Sequence, residues 1–195
     1  MYRPVLITAP ATTPVTLAEA KAQLDIPSDE TDNDALITGL INAAVGYLDG
    51  WTGVLGRCIV TQTWRQDFDC FERILRLPLF PVTSITSVKY DDDNDVEQTV
   101  GSSNYVLLTD DLGSYVKFLD TFSFPSIHTE APAVRATYVA GHAATDHQYA
   151  VIRQIVFLLV RHWYDNPSAV VVGVNTQTMP MAVDALTAIV RRTRF

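Results

Sequence analysis

Between Arg57 and Val139 the chain stops reading like a helix. Val, Ile, Thr, Tyr, Phe and Trp dominate this stretch, and breaks recur every ten residues or so. The segments "IVTQTWRQDF", "RILRL", "ITSVKY", "NYVLL", "YVKFL" and "AVRATYVA" each have the composition of a strand. "LPLFP" at 77–81 brackets a turn with two prolines. Strands so closely spaced, with no helical stretch between them, predict an antiparallel meander or small sandwich. The segments on either side have helical spacing. The chain therefore reads as α+β, mainly a helical bundle with an inserted antiparallel β domain. The expected bounds are 14–56 and 146–195 for the helical core and 57–141 for the β-rich region.

The N-terminal flank supplies two helices. In "TPVTLAEAKAQLDIP", Thr16 and Glu19 form a capping box, and the helix should end near Leu24, before Pro27. A second helix opens at "DETDND", with Asp32 or Asn33 as its cap and acidic residues suited to the helix dipole. Ile37, Leu40, Ile41, Ala44 and Leu48 mark its apolar face. Gly39, Ala43 and Gly46 form a second stripe of small residues, where another helix can approach closely, within the chain or in another subunit.

The C-terminal flank supplies two more. "HQYAVIRQIVFLLVRHWYDNP", over roughly 148–164, is apolar all round at its centre and should be the most buried helix. Pro180 suits the first turn of a last helix whose stripe is Val183, Leu186, Ile189 and Val190. The chain ends "RRTRF", so three of its 14 Lys and Arg residues fall in the last five positions.

Charge and composition narrow the functional classes. The net charge of −8 opposes tight binding to nucleic acid, which needs a basic face. The apolar fraction of 48% is enough for a sizeable core. The first residues contain no run resembling a signal peptide, and "IVFLLV" at 155–160 is too short to span a bilayer. A soluble protein made in the cytoplasm is expected. Cys58 and Cys70 make neither a disulfide framework nor a CxxC pair, and read as two small apolar side chains.

Sites for chemistry are sparse. "VKYDDDNDVEQ", residues 88–98, concentrates carboxylates, with Asp91, Asp93 and Asp95 in alternation. An EF-hand loop needs glycine at its sixth position and glutamate at its twelfth; Val96 and Ser102 stand there instead. The stretch reads as a hairpin turn, with Asp91, Asp93 and Asp95 as a weak candidate cation site. His128, His142, His147 and His162 read as loop or helix-surface residues, because no third metal ligand accompanies any pair. There is no GxSxG and no glycine-rich phosphate loop. No cofactor is expected, and the chain does not read as an enzyme.

The order of elements adds to this. "LAEAKAQL", "DNDALITGLINAAVGYLDGWTG", "LPLFPVTSITSVKYDDDND", "NYVLL", "VRATYVAGH" and "IRQIVFLLVRHWYDNP", across residues 14–167, together resemble the head–tail connector (adaptor) proteins of tailed bacteriophages, prophages and gene transfer agents. The resemblance implies a virion structural protein of the neck or head–tail joint, made in the bacterial host cytoplasm. It would form a dodecameric ring beneath the portal protein, receive a stopper or tail-completion protein, and let DNA pass during packaging and ejection without specific binding. It further implies that Arg191, Arg192, Arg194 and Phe195 dock into the portal. Gly39, Ala43 and Gly46 would then suit contact between neighbouring copies. Another neck component such as a stopper, a calcium-dependent β-sandwich binding module and an unrecognised hydrolase are the alternatives.

Overall fold

The structure is a computed structural model, and it describes residues 2–130, 132–167 and 181–191. Two compact units are distinguishable: residues 1–11 with 61–141, and residues 12–60 with 142–195. The first holds the strands and the second the helices, so the chain is α+β, with N-terminal helices, antiparallel sheets in the middle and two C-terminal helices.

The β unit has two sheets. The larger is ordered β1 (Val5–Thr8), β2 (Gln62–Phe68), β8 (Val134–Ala140), β4 (Val82–Asp91), β5 (Glu97–Val100). The smaller is β3 (Ile74–Arg76), β7 (Gly113–Phe118), β6 (Tyr105–Asp110). Every pairing is antiparallel. The arrangement is not a meander, because β8 lies between β2 and β4 and pairs with both. Burial alternates along it: Val134, Ala136, Tyr138 and Ala140 are buried, and the residues between them are half-exposed. One face of β8 therefore lies on the core, while both its edges are paired.

Sequence reading missed β1, whose four residues are too few for a periodicity. Aromatic side chains join the sheets. Phe71 meets Tyr90 of β4 at 5.4 Å and Phe118 of β7 at 5.5 Å, ring centre to ring centre. Edge-on geometry of this kind adds to the apolar burial.

In the helical unit, α1 (Leu17–Gln23) carries the expected capping box. The Glu19 amide donates to Thr16 Oγ1 at 3.2 Å, and the Thr16 amide to Glu19 Oε2 at 2.9 Å. It ends in a Schellman-type stop, not at the proline. Asp25 takes φ 61°, and the Ile26 amide donates back to the Lys21 carbonyl at 3.0 Å.

Helix α2 (Asp34–Leu48) has Asn33 at its cap position, but no side chain makes the expected cap bond. Asp34 instead accepts from the buried Lys21 ammonium at 2.8 Å. Lys21 also donates to the carbonyls of Ser28 and Glu30, which ties the 25–33 connection to α1. Helix α3 (His147–Asp165) is capped by Asp146 and buries Ile152, Ile155, Val156, Leu159 and Val160. Helix α4 (Met181–Val190) buries Val183 and Val190. Ile189, expected on the same stripe, is 70% exposed. Pro180 lies outside the described residues. Among the described residues, no helix is long and apolar enough to cross a membrane.

Candidate assembly surfaces

The aspartate stretch folds as the connection of the β4–β5 hairpin. Asp92 organises it: its Oδ1 accepts from the amides of Asn94 at 2.9 Å and Val96 at 3.1 Å, and its Oδ2 from Gln98 at 2.9 Å. Those bonds, with that from Gln98 leading, hold its carboxyl below the usual carboxylate range. Asp95 takes φ 60°, the left-handed conformation that Asp tolerates in turns. Asp91 points elsewhere and accepts from both terminal nitrogens of Arg135, one of them at 2.6 Å. Asp91, Asp93 and Asp95 are therefore not brought together. Among the described residues, no group of three or more His, Cys, Asp or Glu side chains is placed to hold a metal ion.

His142 corrects the surface reading of the histidines, because it is buried. Its Nδ1 lies 2.7 Å from Asp146 Oδ2, and its Nε2 lies 3.4 Å from Arg57 Nη1. Guanidinium only donates, so Nε2 accepts and Nδ1 carries the proton toward Asp146. Burial favours the same neutral ring and pushes the imidazole below its ordinary value. Asp146 is held low, chiefly by the His142 bond, and also caps α3 by accepting from the Gln148 amide at 2.8 Å. Arg57 donates to Gln148 Oε1 at 2.5 Å. Both ring nitrogens are thus engaged, and the set pins the start of α3 instead of offering a base to a nucleophile. The i, i+4 spacing of His142 and Asp146 ahead of a helix was the signal that sequence reading passed over.

Cys58 is buried as expected, whereas Cys70 is exposed; both are thiols. Cys70 sits with Phe68, Asp69, Glu72, Ile74 and Arg76 around a partly open depression. Arg76 is committed to a two-pronged pair with Asp110, at 2.9 and 2.8 Å.

The helical unit shows a different kind of surface. Ile37, Ile41, Ala44 and Leu48 of α2 are buried, while Leu36, Gly39, Ala43 and Gly46 are exposed. A Cβ placed on Gly39 or Gly46 would meet nothing within 4 Å. No charged residue occurs between Ala35 and Leu48, so this exposed side carries none. On α4, Met181 is 83% exposed, and Ala182, Ala185, Ala188 and Ile189 are exposed with it. Arg191, just past α4, is exposed; Arg192, Arg194 and Phe195 lie outside the described residues.

No protein-family model matches the chain, and no curated protein matches it. Solved structures do. A chain from the neck of an empty gene transfer agent particle, computed with C6 symmetry, aligns with a TM-score of 0.75 and 22% identity over 100% of this chain and 97% of that one. A chain from the virion of a native gene transfer agent particle gives 0.74 and 22% over the same shares. One from the neck of a native particle, computed with C12 symmetry, gives 0.69 and 20%, again over 100% and 97%. At this identity, what the chains share is a fold, and they share it from end to end.

Proposed function

We propose that this chain is a structural component of the neck of a phage-like or gene transfer agent particle. Its role is that of the head–tail adaptor: a ring between the portal protein and the next tail-ward protein, through which DNA passes. The observation that carries the reading is the end-to-end fold match to chains of such particles, two of them from necks, with nearly the whole of each chain covered. The surfaces agree with it. An exposed helix side without charge, in which Thr38 and Asn42 are polar and Leu36, Gly39, Ala43 and Gly46 are not, suits a contact in an assembly. A net charge of −8 suits a channel wall that must not hold the DNA backbone.

In this role Gly39, Ala43 and Gly46 face a neighbouring copy. Of the four residues expected to dock, Arg192, Arg194 and Phe195 form the portal anchor, and Arg191 at the end of α4 is kept for a neighbouring copy: guanidinium forks and an aromatic suit an acidic or aromatic groove. The test is to incubate the chain with the portal protein of its own particle and to examine mass and shape by light scattering and negative-stain microscopy. A ring on the portal, lost when residues 192–195 are removed, supports both role and anchor. A chain that ignores the portal and binds the tail-ward side of a preformed adaptor ring is a stopper instead.

A further inference from the structure

We propose that the exposed ridge of α4 in one copy packs antiparallel into the notched face of α2 in the next copy, so that the ring closes through unlike surfaces. This rests on the ring reading above and says what fills the stripe on α2. Exposed Met181 and Ile189 stand at the two ends of α4, eight residues apart, or about 12 Å along a helix. Gly39 and Gly46 on α2 are seven residues apart, or about 10.5 Å, and open space lies over each. Along the axis, two large side chains thus match two notches at nearly the same rise, with Met181, Ala185 and Ile189 following one i, i+4, i+8 ridge. Between them, Ala185 meets Ala43, small against small, which lets the backbones close.

Direction follows from charge. Asp29, Glu30 and Asp32 are exposed at the N-terminal approach to α2, and Arg191 is exposed at the C-terminal end of α4. Antiparallel packing sets the arginine beside those carboxylates. It also pairs the negative end of one helix dipole with the positive end of the other. Arg192, Arg194 and Phe195 are left for the portal.

Closure follows from placement. Both α2 and α4 pack on α3, with no comparable contact between themselves, so each keeps a face of its own for a neighbour. A contact between two different faces propagates head to tail and can close a ring, whereas a contact of α2 with α2 stops at a dimer.

Disulfide trapping in the full chain tests this, with Cys70→Ser as background. Gly39→Cys and Ile189→Cys are made singly and together, and oxidised with copper phenanthroline at high concentration. Neither position touches the core. The double variant should give a reducible ladder of dimer, trimer and higher species, and the mixed single variants dimers only. Each single variant alone should stay monomeric. Gly46→Cys with Met181→Cys provides a second rung should the first variant fold poorly. Asp32→Arg should abolish the ladder, and Arg191→Asp added to it should restore it. A dimer from Gly39→Cys alone, or no multimer from either double variant, overturns the proposal. Portal docking without a ladder sinks the α2–α4 contact but keeps the neck reading; a ladder without portal docking does the reverse.

Discussion

His142 is a buried imidazole held neutral between an acceptor and a donor, and this fixes the sign of its effect on stability. Its folded value lies below the ordinary value of about 6.5. The unfolded chain therefore takes up the proton first as the solution is acidified. The contribution is fully present above about pH 6.5 and is lost as pH falls toward the folded value. Asp146 acts in the same direction further down, because its carboxyl is also held low and its contribution is lost below the ordinary carboxylate range. The urea midpoint should accordingly fall between pH 7.5 and 5. His142→Gln should flatten that segment and leave the acid limb below pH 4; a midpoint that rises on acidification contradicts the assignment. Asp91 gives a second prediction at this scale. Its carboxylate is taken by Arg135 and that of Asp92 by the turn, so millimolar calcium should leave the melting temperature of the wild type and of Asp93→Ala unchanged. A calcium-dependent rise would revive the cation site.

Helix ends and helix glycines divide sharply at the level of elements. Removing the cap hydroxyl with Thr16→Ala should cost about 1 kcal/mol in a denaturant titration, because the Glu19 amide loses its partner. In the helix interior, Gly39→Ala and Gly46→Ala should each stabilise the isolated chain by about 0.5–1 kcal/mol, since each glycine is exposed and a Cβ there meets nothing. Gly53 is the opposite case: a Cβ would fall 2.3 Å from the Asp49 carbonyl oxygen, so Gly53→Ala should destabilise. Retaining two helix glycines that stability alone would replace makes sense where a neighbour needs the space. The capping box and the buried stripe of α2 were both legible in the sequence, because each depends on spacing within one helix. The stop of α1 and the loss of the α2 cap were not, because Asp25 in a left-handed conformation and Lys21 reaching Asp34 depend on how the chain turns between the helices.

For the molecule as a whole, the acidic balance opposes contact with the DNA backbone, and the exposed, charge-free side of α2 agrees with the proposed assembly. At near-physiological salt the chain should leave the mobility of duplex DNA unchanged, because binding would require a basic face to displace counterions. Gly39→Leu should fill one notch of α2 and suppress assembly on a portal while leaving the monomer folded, which circular dichroism and particle counts together would show. An intact ring from that variant would mean that α2 faces solvent in the assembly.

By itself the sequence determined the class of the fold, the two helices on each side of a strand-rich middle, the aspartate turn and the absence of familiar catalytic motifs. Periodicity, capping pairs and turn residues act over a few positions, so they can be read along the chain. Only the tertiary structure decided that β8 divides β2 from β4, that Val5–Thr8 joins a sheet, that His142 is buried against Arg57 and Asp146, and that Ile189 faces outward. Each depends on which distant segments become neighbours. Hydrophobicity records that a side chain prefers to leave water; it does not record whether its own chain or another copy provides the cover.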